Sequence, residues 1–198
     1  MLLNTMTDIE IFNEIKKDYH SCREKINYYH NKFSKSVRNK FCFETDCYKM
    51  ISSNHNEWVT FYFHHKTPNG WKIYYKHYVF MRNMDGTYKA ISINILNDDV
   101  NNLTIFSSHF FQRYRERFCK NSKYNFKELF LFFLLKNPCF TSLNTNDGCY
   151  TIMNEGVGLL KFGSTPNVCY VNTFITKDML KPKQIEVLKT FLECGSLA

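Results

Sequence analysis

One short segment holds the residue types best suited to chemistry, a histidine and two arginines at helical spacing. Residues 107–118 begin with two serines, which favour a helix N-terminus, and continue as an aromatic and arginine-rich run. Positions four residues apart share one face of a helix, so His109, Arg113 and Arg117 form a basic stripe. A second stripe at the same spacing is aromatic and consists of Phe110, Tyr114 and Phe118. This arrangement is typical of a helix that lines a cleft.

These residue types match the needs of RNA cleavage without a metal ion. That reaction requires a base for the 2′-hydroxyl, an acid for the 5′-oxygen and cations for the charged phosphorane. Histidine titrates near neutral pH, and arginine binds phosphate through two parallel hydrogen bonds. A late strand offers polar side chains as further contacts, namely Tyr170, Asn172, Thr173 and Thr176. The structural alternative is a capping histidine beside solvated arginines.

The positive charge is concentrated around the same segment. The chain carries a net charge of +8. Within residues 109–127, six basic residues face one acidic residue, Glu116. Such a surface favours a polyanionic partner, although a solubilising face is the alternative. The residues that we expect to contact nucleic acid are Arg115, Lys120, Lys123, Lys127 and Tyr170.

Several classes of function lack a signal. The sequence has no HExxH motif, no phosphate-binding P-loop and no Cys/His grouping with zinc-finger spacing, so we expect no metal and no cofactor. The first residues lack the features of a signal peptide, and the longest apolar run, 129–135, is too short for a bilayer. We therefore expect a cytoplasmic protein with eight reduced cysteines and no membrane contact.

The N-terminal half is predicted to hold a long helix and a β-meander. A capping box at Thr7 and apolar residues at alternating spacings of three and four predict a helix over 7–33. Its apolar stripe either packs on its own domain or forms a homodimer. Alternating strands separated by Asn-Gly and Asp-Gly turns follow, at 58–65, 71–82 and 88–96. The polar run 97–102 is the best boundary, so the predicted domains are an accessory part at 1–100 and a toxin-like part at 101–198, with one compact unit as the alternative.

The second half is predicted to contain two helices, a small sheet and a last helix. Residues 126–136 form an apolar helix capped by Asn125, which we expect to be buried. Short strands are predicted at 149–154, 157–162 and 168–175, and a C-terminal helix begins near Pro182. The predicted fold class is α+β: an N-terminal helix and antiparallel meander, then two helices, a small antiparallel sheet and a C-terminal helix.

The motif His-x-x-x-Arg-Tyr-x-Glu-Arg-Phe resembles the first helix of several small bacterial ribonuclease toxins, the group that spans barnase, EndoU, colicin and RelE-type folds. The resemblance covers about residues 104–177, where two helices precede an antiparallel sheet. It implies that His109 is the acid or base, that Arg113 and Arg117 bind phosphate, and that Thr173 is the late-strand hydroxyl. Strand alternation instead groups Thr173 with Val171 and favours Asn172 and Thr176 for an open cleft.

The sequence therefore predicts a metal-independent endoribonuclease of toxin type, acting on tRNA or mRNA and opposed by an acidic antitoxin or immunity protein. The alternative is a non-catalytic nucleic-acid-binding or adaptor protein of phage or mobile-element origin, which would use the same basic helix for phosphates. A third reading is an interaction protein that dimerises through the N-terminal helix.

Overall fold

The computed structural model describes residues 1–119, 123–138, 140–145, 148–182, 185–186 and 189. Within these residues the helices are α1 (Asp8–Val37), α2 (Ser108–Phe118) and α3 (Phe126–Lys136), with a short 3-10 helix at Lys177–Met179. The strands are β1 (Glu44–Ile51), β2 (Glu57–Thr67), β3 (Gly70–Arg82), β4 (Tyr88–Leu96), β5 (Asp99–Phe106), β6 (Thr141–Thr145), β7 (Gly148–Ile152), β8 (Gly156–Phe162) and β9 (Val168–Thr176).

The predicted assembly of these strands is wrong. We expected an N-terminal meander and a separate small antiparallel sheet. The nine described strands instead belong to one mixed sheet, in the order β1-β2-β3-β4-β5-β9-β8-β7-β6. Two of these strands, β5 and β6, were not predicted at all. The C-terminal helix predicted from Pro182 onward falls largely outside the described residues.

Strand β5 was missed because its polar residues look like a linker. Asn97 and Asp98 have φ angles of 51° and 63°, so they form a tight two-residue turn between β4 and β5. Left-handed conformations at both central positions define the turn that best fits the twist of a hairpin, and Asn and Asp tolerate them. The strand that follows buries Val100, Leu103 and Ile105. The polar run is therefore a hairpin and not a domain linker.

The chain forms two compact units. Unit 1 comprises Met1–Ile105 and Gly163–Val168, and unit 2 comprises Phe106–Phe162 and Cys169–Ala198. Polar contacts explain why the short segment 163–168 belongs to unit 1. The backbone N–H and hydroxyl of Ser164 donate to the Asp8 carboxylate at 2.6 and 2.8 Å. Asn167 accepts a hydrogen bond from the Leu103 N–H at 2.8 Å.

In unit 1, the apolar stripe of α1 packs on the first strands of the sheet. Phe33 lies 5.2 Å from Tyr62 and Tyr19 lies 6.4 Å from Trp58, measured between ring centroids. Ile15, Tyr19 and Phe33 are all nearly fully buried. The predicted stripe therefore packs within unit 1, and a homodimer through α1 stays a prediction.

A buried carboxylate fixes α1 to β2. Asp18 is fully buried, and its Oδ2 accepts hydrogen bonds from Trp58 Nε1 at 2.6 Å and from Asn56 Nδ2 at 2.9 Å. Asn56 Oδ1 in turn accepts from the Leu2 N–H at 2.7 Å. Because a buried charge is tolerated only when it is hydrogen-bonded, this network sets the position of α1 along the sheet.

In unit 2, aromatic side chains of α2 and α3 form the core. Phe110 and Phe111 of α2 lie 5.5 and 5.7 Å from Phe133 of α3 in edge-to-face geometry. Phe174 of β9 lies 5.8 Å from Phe110. Edge-to-face packing adds about 0.5–1.5 kcal/mol per aromatic pair beyond area burial. These contacts hold α2 rigidly by its aromatic face.

Replacement of Asp18 by alanine should strongly destabilise unit 1, because it removes the acceptor of the buried Trp58 Nε1 and the shorter of the two hydrogen bonds donated by Asn56 Nδ2. We expect a loss of about 2–4 kcal/mol in the free energy of unfolding, measured by urea titration. Glu24→Ala is the matched control, since Glu24 is an exposed acidic residue on the same helix. Equal unfolding midpoints for the two variants would contradict the anchoring role of Asp18.

The stability of unit 1 should also fall below neutral pH, because His77 is buried. His77 is 2% exposed, and its Nδ1 lies 3.0 Å from the Thr60 hydroxyl. Burial, together with the nearby His30, lowers the pKa of His77 from 6.5 to about 4. Between these values the unfolded chain binds a proton that the folded chain does not, so stability decreases as the pH falls. The full effect is about 3 kcal/mol.

Urea titrations of the wild-type protein and of His77→Gln at pH 7 and pH 4 measure this effect. The variant should lose less stability between the two pH values than the wild type does. The same pH dependence in both proteins would show that His77 is not the responsible group.

Candidate functional site

The first turn of α2 is fixed to β9 through Ser107. The Ser107 hydroxyl accepts a hydrogen bond from the Phe110 N–H at 3.1 Å and donates one to the Asn172 carbonyl at 3.0 Å. The backbone N–H of Ser107 donates to the Val171 carbonyl at 3.1 Å. A serine N-cap satisfies one of the otherwise unpaired N–H groups of the first turn. These hydrogen bonds therefore fix the backbone of the helical turn that carries His109.

The structure brings His109 and Arg113 into contact at the surface. His109 is exposed, and its Nε2 accepts a hydrogen bond from Arg113 Nε at 3.4 Å. A ring nitrogen that accepts a hydrogen bond does so through its lone pair. The pair thus combines a proton acceptor with a permanent cation, which is the combination predicted for a phosphate site.

Glu116 completes this group. Its carboxylate accepts hydrogen bonds from Arg113 Nη1 at 2.8 Å and from Gln112 Nε2 at 3.0 Å. The guanidinium of Arg113, followed by the amide of Gln112, lowers the pKa of Glu116. Because Arg113 and Glu116 are both about 40% exposed, water and salt screen their attraction. A dianionic or polyanionic ligand can therefore compete with Glu116 for Arg113.

The remaining arginines of α2 contact backbone carbonyls. Arg117 Nη1 donates to the Phe174 carbonyl, and Arg115 Nη2 donates to the Tyr124 carbonyl at 2.9 Å. Arg117 is half-buried, whereas Arg115 is exposed. The predicted stripe therefore divides into a pair in mutual contact, His109 and Arg113, and a third member, Arg117, that holds α2 to β9.

A β-bulge in β9 changes the expected faces of the late strand. Residues 169–171 pair with 160–162 and residues 173–176 pair with 156–159, so Asn172 is the extra residue. Regular alternation would place Val171 and Phe174, three residues apart, on opposite faces, whereas the bulge places them on the same face, and both are fully buried. The interpretation that groups Val171 with Thr173 on one continuous face fails at this bulge.

The predicted late-strand residues consequently occupy different places. Phe174 faces Phe110 and Tyr114 of α2, so Thr176 shares the α2 face and Thr173 points to the opposite face. Asn172 is exposed at the bulge. Among the described residues, no hydrogen bond joins His109 to the side chain of Asn172, Thr173 or Thr176.

The other predicted nucleic-acid contacts are dispersed. Tyr170 is half-buried on the N-terminal side of the bulge. Lys123 is exposed before α3, and Lys127 is half-buried in the first turn of α3. Lys120 lies outside the described residues. Described groups of histidine, cysteine and acidic residues contain no set that could hold a metal ion, and no helix in the described ranges is long and apolar enough to cross a bilayer.

Sequence reasoning missed a buried polar network beneath α2. Tyr114 is fully buried, and its hydroxyl donates to Glu155 Oε2 at 2.5 Å. Asn137 is also fully buried and donates to the same oxygen at 3.0 Å. Burial and the adjacent Glu155 carboxylate raise the pKa of Tyr114. The available signal was a tyrosine within a phenylalanine stripe, because a buried hydroxyl requires a partner.

Tyr114→Phe should destabilise unit 2 by about 1–3 kcal/mol, because Glu155 loses a donor in a partly buried site. Urea unfolding is the measurement. Tyr124→Phe removes a hydroxyl from an exposed ring and should be nearly neutral. A neutral Tyr114→Phe variant would mean that water replaces the lost hydroxyl without cost.

Comparison with known proteins provides no relative for this chain. No protein-family model matches it, and neither a curated protein nor a solved structure matches it. The resemblance to ribonuclease toxins therefore stays a prediction from the sequence alone.

Proposed function

We propose that unit 2 is a metal-independent endoribonuclease whose reacting group is His109. One observation carries this proposal: the His109 imidazole is exposed, and its Nε2 faces the guanidinium of Arg113 at 3.4 Å. A histidine buried against carbonyl groups would be out of reach of a substrate, whereas His109 is accessible. An exposed base beside a cation is instead suited to an anionic substrate that exchanges a proton.

The proposed reaction follows from these two side chains. His109 Nε2 takes the proton of a 2′-hydroxyl, and the resulting oxygen attacks the adjacent phosphorus while the bond to the 5′-oxygen breaks. The protonated His109 then returns this proton to the 5′-oxygen, which leaves a 2′,3′-cyclic phosphate and a 5′-hydroxyl. Arg113 leaves Glu116 and stabilises the negative charge that develops on the phosphorane. Thr176 is the threonine that shares the α2 face, so its hydroxyl is the preferred late-strand contact. Asn172, exposed at the bulge, is a second polar contact.

The proposal extends to partners and location. The substrate is RNA, either tRNA or mRNA, and the exposed basic face of α2 and the start of α3 suits an acidic antitoxin or immunity protein. A cytoplasmic site of action fits an RNA substrate, and the described cysteines are thiols without disulfides.

A second candidate function is non-catalytic nucleic-acid binding. Two observations favour it: Arg113 is paired with Glu116, and Arg117 contacts the Phe174 carbonyl. In that case the basic face of α2 would hold phosphates without a proton-transfer step. Binding would then depend on Arg113 and not on His109.

Substitution of His109 separates the two functions. Purified wild-type protein should cleave labelled RNA in EDTA, and His109→Ala should lower the rate by about 100-fold or more, because general-base catalysis typically contributes that much. His20→Ala is the matched control, since His20 is an exposed histidine of unit 1. Circular dichroism should show that both variants remain folded.

The contrary results are distinct. Absence of cleavage by the wild-type protein in EDTA, or equal cleavage by His109→Ala, would reject the ribonuclease. If the wild-type protein binds RNA without cleaving it, and Arg113→Gln weakens binding while His109→Ala does not, the second function holds.

A further inference from the structure

A second surface with nucleic-acid chemistry lies in unit 1, at the connection between α1 and β1. This basic-aromatic segment runs from Lys32 to Phe43 and contains four basic residues. No aspartate or glutamate occurs between Lys25 and Phe43. The proposed function of unit 2 makes no use of this segment.

Two phenylalanines of the segment are exposed to solvent. Phe41 is 81% exposed and Phe43 is 55% exposed. Single exposed apolar residues are common on protein surfaces, but two rings two positions apart within a basic segment form a combined feature. Phe33 and Val37, at the end of α1, are by contrast only 2% exposed. The segment therefore buries its helical apolar residues and presents its loop rings outward.

The basic side chains are also available to a ligand. Lys35 and Arg38 are exposed, while Lys40 pairs with Glu44 at 3.0 Å. Lys32 Nζ lies 5.3 Å from the ring centroid of Tyr48, and that ring stacks on Tyr29 at 4.7 Å. Basic residues at a helix C-terminus complement the helix dipole, which covers Lys35 and the C-cap residue Arg38, but the effect fades beyond the helix end and does not account for Lys40.

We propose that the basic-aromatic segment binds single-stranded nucleic acid. Bases stack on the rings of Phe41 and Phe43, and Lys35 and Arg38 contact the phosphates. Every base offers a flat face for stacking, so an alternation of cations and rings binds a single strand with little sequence preference. This surface belongs to unit 1 and requires no catalysis by unit 2.

An anionic membrane is the main competing ligand, and the local carboxylates disfavour it. Glu44 follows Phe43 directly, and Asp46 lies two residues further along β1. Insertion of Phe43 into a lipid headgroup layer would bring both carboxylates to an anionic surface. A single strand held by Lys35 and Arg38 leaves the ion pair between Lys40 and Glu44 intact.

The test uses fluorescently labelled oligothymidylate, a DNA strand without the 2′-hydroxyl that cleavage needs. The full chain carrying Phe41→Ala and Phe43→Ala should bind with a Kd raised at least about fivefold for each ring removed. Phe41→Tyr with Phe43→Tyr keeps both rings and should retain the wild-type Kd. Met84→Ala is the matched control, because Met84 is 86% exposed elsewhere in unit 1.

The charge contribution is measured in the same assay. Lys35→Gln with Arg38→Gln should reduce the slope of log Kd against log salt by about 1.4, since each phosphate contact of a single strand contributes about 0.7. Lys17→Gln with Lys25→Gln removes two exposed lysines from the same helix and should leave the slope unchanged.

Two results would overturn this inference. One is an unchanged Kd for the double alanine variant. The other is binding to vesicles of phosphatidylcholine and phosphatidylserine that depends on Phe41 and Phe43 while oligothymidylate binding does not. Because the DNA probe cannot be cleaved, failure of the ribonuclease proposal would leave this readout intact, and the reverse also holds.

Discussion

The hydrogen bonds of Ser107 are the interaction on which the candidate site of unit 2 depends. One residue caps α2, and both its hydroxyl and its backbone N–H donate to consecutive carbonyls of β9. A helix N-terminus held at three points has little freedom to fray, so the first turn that carries His109 is fixed before any ligand arrives. The phenylalanine core holds the opposite side of α2, and Arg117 holds its C-terminal turn on Phe174. Because α2 is held at both ends, the backbone that carries His109 and Arg113 is fixed while their side chains remain accessible to a ligand.

On the same helix, two arginines of the predicted stripe make different kinds of contact. Arg113 and Arg117 occupy equivalent places on a helical wheel, yet Arg113 contacts exposed side chains and Arg117 contacts a backbone carbonyl. The difference arises because the Phe174 carbonyl of β9 lies within hydrogen-bonding reach of Arg117. A helical wheel contains no information on the neighbouring strand, so residue type and spacing alone cannot separate a ligand from an anchor.

Local sequence patterns predicted α1, α2 and α3 well. The wrong predictions concern features that depend on pairing between residues far apart in the sequence. Periodicity placed α1, α2 and α3, and turn residues located the first hairpins. Strand β5 was missed because three of its first four residues are polar, while burial of Val100 and Leu103 depends on the sheet. The Tyr114 and Glu155 contact joins residues 41 positions apart, and no local signal specifies such a partner. His109 was chosen as a candidate from its residue type and spacing, whereas its exposure and its hydrogen bond with Arg113 depend on the fold and on side-chain rotamers.

The bulge at Asn172 has a consequence for how β9 can vary. A strand with one extra residue carries two alternation patterns, one on each side of the insertion. Odd-numbered residues therefore face one side of the sheet before Asn172 and the opposite side after it. Deletion of Asn172 would turn the side chains of one of these two segments to the opposite face. The number of residues in β9 is therefore as constrained as their types. An alignment of related sequences would therefore have to keep the same number of residues between Val171 and Phe174 for equivalent side chains to be compared.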